Sequence, residues 1–310
     1  MKKEEKPILM VALGGNALIK KGQEGTIHEQ FENLRVPLGQ VARLSESYRI
    51  IITHGNGPQV GNLLLQQECC PKVPKLPLEI LVAQTEGQIG YMIESTLDSE
   101  MMRQGLEPKH LVSLITYVVV DRDDEAFSRP EKPIGPAYSR EEAASMPWPT
   151  VKTAKGYRRV VASPRPLTVV EKREIARLIE MDFIVICCGG GGIPVIREER
   201  AFSGVDAVID KDLASLCLAD EVGVDVFVIA TDVEGVFLDF GEKGQRLLSE
   251  LTVRDAAVFI EEGRFPEGSM LPKVQAAMHF VRHEGKRAVI TSVDRVKEAA
   301  LGNAGTEFRR

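Results

Sequence analysis

Three lysines stand beside glycine turns, and chemistry could begin there. Lys211 lies in Val208-Ile209-Asp210-Lys211-Asp212, a short way after four consecutive glycines, Gly189-Gly190-Gly191-Gly192. Lys273 follows Gly268-Ser269-Met270-Leu271-Pro272, and Lys132 opens Lys132-Pro133-Ile134-Gly135. Most lysines are solvated surface charges. A lysine next to a turn where backbone replaces side chains is instead placed to meet an anion. Glycines after a strand let N–H groups approach phosphate oxygens closely, and the ammonium adds a mobile positive charge. Phosphoryl transfer needs in-line positioning and positive charge on the moving oxygens, and little covalent help. For any one glycine run taken alone, a tight loop on an α/β scaffold is the competing reading.

The elements that must hold these groups follow from the apolar pattern. Continuous apolar runs at 8–13, 48–53, 111–120, 183–188, 224–230 and 288–291 read as buried parallel strands. Between them lie stretches of helical spacing: 27–44, 77–102, 167–181, 251–262, 270–281 and 293–301. Thr168 with Glu171 suggests a capping box at the start of the third. A further helix starts near Pro58, which suits a first turn, with Asn56 or Gly57 at its cap. Asp210-Lys211-Asp212 reads as the first turn of another. Alternation of this kind implies a mainly parallel sheet covered on both faces, with ligands beyond the carboxyl ends of the strands. The glycine turns at 14, 55 and 189 all leave such ends. The segment 122–162 differs in texture: Pro130, Pro133, Pro136, Pro147 and Pro149 fall among charges with the only tryptophan, Trp148. It reads as an inserted flap or small subdomain on one domain spanning 1–310.

Totals narrow the classes. A formal charge of −6 over 310 residues argues against a nucleic-acid binder and leaves room for anionic small molecules. Five cysteines, Cys69, Cys70, Cys187, Cys188 and Cys217, show neither a disulfide framework nor zinc spacing, which fits a reducing cytoplasm. The charged start followed by a short apolar run does not read as a signal peptide, and no apolar segment is long enough to span a bilayer, so no membrane is expected. The chain has no G-x-x-x-x-G-K-[ST], no G-x-G-x-x-G after the first strand, and neither G-x-S-x-G nor H-E-x-x-H.

Ala12-Leu13-Gly14-Gly15-Asn16-Ala17-Leu18, Thr53-His54-Gly55-Asn56-Gly57-Pro58-Gln59-Val60-Gly61, Gly189-Gly190-Gly191-Gly192-Ile193-Pro194-Val195, the Lys211 segment and Gly268-Ser269-Met270-Leu271-Pro272-Lys273-Val274 together resemble the amino-acid kinase family. The insert, with Asp121, Asp124 and Lys132-Pro133-Ile134-Gly135-Pro136, is similar to the protruding subdomain of those members that use carbamoyl phosphate. The resemblance implies a three-layer αβα sandwich, a homodimer, and reversible phosphate transfer between carbamoyl phosphate and ADP, giving ATP and carbamate, with Mg²⁺. It implies that Gly14, Gly15, Asn16, Gly55, Asn56 and Gly57 hold the carbamoyl phosphate end. Lys211 and Lys273 would flank the phosphoryl group, Asp212 would orient them, and Lys132 would reach over the carbamate. Gly190, Gly191, Thr231, Asp232, Val236, Phe237, Met270 and Lys273 would serve the nucleotide. Asp210 and Asp212 also suit ordinary helix N-capping. No protein metal ligand is expected, since phosphate oxygens and water can supply most of a Mg²⁺ shell. Two other readings stay open at this point: a family kinase acting on a carboxylate or nucleotide monophosphate, and a non-catalytic domain that binds a phosphorylated metabolite.

Overall fold

The computed structural model describes residues 5–70, 72–153, 156–266, 268–283 and 285–310; the charged start, 1–4, lies outside them. The first apolar run is strand β1 (Ile8–Leu13), buried at every position. Alternation explains why it must be. Ile8, Met10 and Ala12 enter one core and Leu9, Val11 and Leu13 the other. A strand covered on both faces has no place for a polar side chain on either. Helix α1 (Ile27–Leu44) begins at Thr26 with a capping box: the Glu29 N–H donates to the Thr26 hydroxyl, and Glu29 accepts the Thr26 N–H at 2.9 Å. Strand β2 (Arg49–His54), helix α2 (Gly57–Cys69) with Asn56 at its cap, and helix α3 (Leu78–Arg103) follow.

The run 111–120 is two strands rather than the single one expected. Strand β3 (Leu111–Ser113) joins the main sheet and β4 (Tyr117–Val120) a second one. The break lies at Thr116, whose N–H and hydroxyl donate to the buried Glu86 at 3.1 and 2.8 Å. The insert holds β5 (Lys132–Tyr138), α4 (Arg140–Ala144), β6 (Thr150–Thr153) and β7 (Gly156–Val161), in a separate antiparallel sheet ordered β5-β7-β6. The segment 167–181, expected as one helix, is β8 (Pro166–Val169) followed by α5 (Lys172–Glu180). Thr168 caps nothing. Its hydroxyl donates to Glu221, as does the Val169 N–H at 3.0 Å, while Glu171 accepts from the Tyr117 N–H at 2.8 Å.

Strand β9 (Ile184–Ile186) ends at the four glycines. These lead first to β10 (Ile193–Arg197) and β11 (Phe202–Gly204), and only then to α6 (Lys211–Val222). The chain continues through β12 (Val226–Thr231), a hairpin of β13 (Phe237–Leu238) and β14 (Arg246–Leu247), β15 (Glu250–Thr252) and α7 (Val253–Glu261). It closes with α8 (Met270–Phe280), β16 (Arg287–Ser292), α9 (Val296–Ala300) and β17 (Thr306–Arg309). Leu251, read from the sequence as helical, pairs in β15 instead, and α7 starts at the Thr252 cap.

The main sheet runs β15-β17-β16-β12-β1-β2-β9-β3. Its strands from β16 to β3 are parallel; β17 is antiparallel to β16, and β15 is parallel to β17. Residues of α1, α3 and α9 cover one face, and residues of α5, α6 and α8 the other. The result is the expected αβα sandwich. It sends the carboxyl ends of β1, β2, β9 and β12 to one edge.

The insert docks on α2 where two backbones touch. A methyl group added at Gly61 would fall 2.0 Å from the Gly135 Cα, and Gly135 itself has φ +73°. Ile134 and Val161 of the insert share a core with Val60 and Leu64 of α2. Gly61→Ala should therefore force α2 and β5 apart and cost about 1–3 kcal/mol. A lower Tm together with faster proteolysis within 132–161 is the expected result; unchanged values for both would contradict this packing.

Candidate active site

Two helix N-termini carry the site. Asp210 caps α6, its Oδ1 accepting the Asp212 N–H at 2.9 Å. That leaves Lys211 and Asp212 in the first turn. Lys273 stands in the first turns of α8, and its Nζ also donates to the Ser269 carbonyl at 3.2 Å. The two lysines, 62 positions apart by their numbers, meet on one carboxylate. Lys273 Nζ donates to Asp212 Oδ2 at 2.9 Å, and Lys211 Nζ donates to Asp212 Oδ1. The Asp212 side chain is 2% exposed, against 10% for Lys211 and 14% for Lys273, so this triad is almost out of water. From the insert, Lys132 donates to the other oxygen of the capping residue, Asp210 Oδ2. The five groups thus form one chain of charge: Lys132, Asp210, then Asp212 between the ammoniums of Lys211 and Lys273.

Their titration follows from this arrangement. Burial opposes ionisation of Asp212, yet the two ammoniums hold it well below the usual carboxylate range. Burial also works against the charge on Lys273, but Asp212, backed by Asp210 and Asp232, keeps its pKa above the ordinary lysine value. Lys211 goes the other way: burial, with the neighbouring charge of Lys273, outweighs Asp212 and lowers it.

The glycine turns close around this triad. A methyl group at Gly55 would lie 3.4 Å from Lys211 Cδ and 3.5 Å from the Gly15 nitrogen, so the turns after β1 and β2 and the start of α6 are in contact. Gly14 and Gly55 commit their N–H groups to the carbonyls of Ala230 and Leu13, at 2.9 and 3.0 Å. They bring backbone close without offering donors. Gly15 and Asn16 form the half-buried one-turn helix that follows, and Gly57 lies in the first turn of α2, whose N–H groups have no intrahelical partner. Asn56 is committed elsewhere: its Nδ2 donates to Thr85 Oγ1 at 2.8 Å, and a methyl group at Gly190 would fall 2.1 Å from that nitrogen. Gly190 and Gly191, at φ +65° and +95°, occupy backbone that side chains rarely tolerate. A methyl group at Gly191 would strike the Ile209 carbonyl at 2.4 Å, which fixes the turn against the entry to α6.

On the β12 side, Thr231 ends the strand beside Gly14, and its hydroxyl donates to Asp232 at 3.1 Å. Asp232 is exposed and among the charges acting on Lys273. Met270 begins α8 one turn before Lys273. Phe237 is half-buried, its ring 5.7 Å from that of Phe240. Val236 is fully buried in the main core, with its N–H on Thr306 Oγ1 at 2.7 Å, so its side chain lines no open wall.

Two titratable groups escaped the sequence reading. His54 is buried against Gly189, and burial together with the Lys211 charge pushes its pKa down to about 4, leaving a neutral ring. Burial lifts Glu86 to about 8, although Thr116 and the Gly189 backbone donate to it. A signal for Glu86 did exist: it lies four residues after Val82 and three before Ile89, on the buried face of α3. A carboxyl in that row must have inward partners.

Ammoniums converging on a backbone-lined edge of a parallel sheet define a class of α/β proteins that handle phosphoryl groups. The chain belongs to the amino acid kinase family, whose model matches residues 7–292. It is 46% identical to carbamate kinase from Thermococcus kodakarensis, covering 97% of this chain and 99% of that one. It is 42% identical to carbamate kinase from Haemophilus influenzae, covering 97% and 96%. Among solved structures, carbamate kinase from Giardia lamblia bound to AMP-PNP superposes with a TM-score of 0.88 at 37% identity, covering 98% of each chain.

The Asp212 triad generates a stability prediction. A carboxylate whose folded pKa is depressed contributes fully above its unfolded value and loses that contribution only in acid. Asp212→Asn would leave two nearly buried ammoniums without their anion, and should cost about 3–5 kcal/mol throughout the neutral range. Urea unfolding checks this. A loss confined to within about 0.5 kcal/mol, as for a surface change, would contradict the arrangement.

Proposed function

We propose that this protein is a phosphotransferase that moves a phosphoryl group reversibly between carbamoyl phosphate and ADP, giving ATP and carbamate. The observation that carries the reading is the meeting of Lys211 and Lys273 on Asp212 at the mouth of the parallel sheet. Full-length similarity to carbamate kinases supports the choice of acceptor. In the direction of ATP synthesis, the bond from phosphorus to the carbamate oxygen breaks, and a bond to the terminal phosphate oxygen of ADP forms. Carbamate leaves as an anion, so the return reaction needs no base to activate it.

Each residue has a part in this reading. Lys211 and Lys273 place positive charge on the oxygens of the phosphoryl group, where it counts most as the bonds exchange. Asp212 keeps both ammoniums charged and aimed. Lys132 brings a third charge from the insert, the 122–162 flap of a single 1–310 domain, toward the carbamate end. Gly14, Gly15, Asn16, Gly55, Asn56 and Gly57 shape the carbamoyl phosphate side. Gly190, Gly191, Thr231, Asp232, Val236, Phe237 and Met270 shape the nucleotide side, with Val236 and Asn56 acting through the scaffold. The nucleotide would bring Mg²⁺, whose charge would offset that of the phosphate oxygens. Of the carboxylates at this mouth, Asp210 and Asp212 have both oxygens engaged, and Asp232 is exposed. We further propose a homodimer, and a cytoplasmic location in keeping with five free cysteines.

Purified protein given ADP, Mg²⁺ and carbamoyl phosphate should form ATP rapidly. Lys273→Ala should reduce kcat by more than about a hundredfold while changing ADP affinity far less, because its charge is needed mainly in the transition state. Lys132→Ala should act chiefly through the KM for carbamoyl phosphate. Binding of both ligands without ATP formation would point to a metabolite-binding domain instead. A Lys273→Ala rate within a few-fold of the parent would remove that lysine from the mechanism.

A further inference from the structure

A second cluster of chemistry-bearing side chains lies away from the sheet's mouth, where α6 and α8 pack together. Asp220 stands near the carboxyl end of α6, His279 in the last turn of α8, and His283 four residues on. Asp220 Oδ2 is 3.7 Å from His279 Nδ1, and Asp220 Oδ1 is 3.8 Å from His283 Nε2. All three potential ligand atoms lie within 4.8 Å of one another, and all three residues are exposed. The two imidazoles face the same side with centroids 6.4 Å apart. Among the described residues no other group of three histidine, cysteine or carboxylate ligands comes together in this way.

We infer that Asp220, His279 and His283 form a binding site for a divalent transition cation of the zinc class, with water completing the shell. The donor set decides the class. Two imidazoles and one carboxylate suit zinc, whereas Mg²⁺ prefers oxygen ligands alone. The spacing fits as well. Zinc sits about 2.0–2.1 Å from such ligands, which places neighbours in a tetrahedral shell about 3.3 Å apart. The two observed histidine–carboxylate separations exceed that by about half an ångström, within reach of small rotations of exposed rings. The backbone that carries them is already held: Leu218 and Ala219 beside Asp220, and Phe280 beside His279, are buried in one core. Lys286, the nearby cation, is occupied by Asp225 at 3.2 Å and the Gly223 carbonyl at 3.3 Å.

The site is separate from the reaction centre. Asp220 is nine residues beyond Lys211 and His279 six beyond Lys273, which at helical rise is about 13 and 9 Å along the two axes. A bound ion would clip together the far ends of the two helices whose near ends present those lysines. The inference does not depend on which phosphoryl acceptor the mouth uses.

The test uses the full chain carrying Cys69→Ser and Cys70→Ser, which removes the exposed thiols, stripped of metal and titrated calorimetrically with ZnCl₂ at neutral pH. The expected result is one ion per chain and a Tm that rises on binding. Adding His279→Ala and His283→Ala should weaken binding by more than about tenfold and abolish the rise in Tm, with the metal-free Tm unchanged. A protein that takes up no zinc, or a double-histidine variant that binds within tenfold of its parent, would overturn the site.

Discussion

Two ammonium groups forced together in a cleft that water barely enters repel each other, and burial alone would strip one of its proton. Asp212 makes the pair tolerable. With one oxygen on Lys211 and the other on Lys273, it offsets both charges without cancelling the net positive field. Removing water strengthens whatever charge remains, so under the proposed function the same burial that threatens the lysines would raise their value to an incoming phosphoryl group. The rest of the molecule can be understood as the means of holding that carboxylate between two helix ends.

The means are mostly backbone. Asp212 is fixed because Asp210 caps α6, and α6 is fixed because Ile209 packs against a turn that only glycine can make. Gly14 leans on β12 and Gly55 on β1 through their amide groups, which locks neighbouring strand ends into one rim. Glu86 and Thr116 tie α3 to the same turn from below, through the Cys188 and Gly189 amides. Asp210 also anchors the insert. Its second oxygen takes Lys132, so the insert is joined to the rim by charge as well as by the Gly61–Gly135 contact.

Much of this was legible in the chain because local physics and tertiary need coincide. The β1 run is apolar throughout because both its faces are covered, and α1 spans 27–44 as its apolar face indicates. The glycine turns after β1 and β2 meet the start of α6 because backbone packs closely there, where a side chain would intrude. The misreadings share one cause. Nothing local distinguishes 111–120 from a single strand; the break comes from Glu86, 30 residues away. Thr168 carries a fair capping pattern, and Glu221, 53 residues on, claims its hydroxyl. The Lys132–Asp210 pair spans 78 residues, and no periodicity reports such a contact. His54 was visible inside its motif, but its neutrality follows from burial beside Lys211, which only the packed molecule reveals.

The most direct measurement is a crystal structure of the protein with ADP, Mg²⁺ and aluminium fluoride, a mimic of the phosphoryl group in flight. Both ammoniums, of Lys211 and of Lys273, should stand about 2.7–3.1 Å from fluorine atoms of one and the same mimic, with Asp212 still behind them. A mimic bound at the sheet's edge while either lysine points elsewhere would contradict the account.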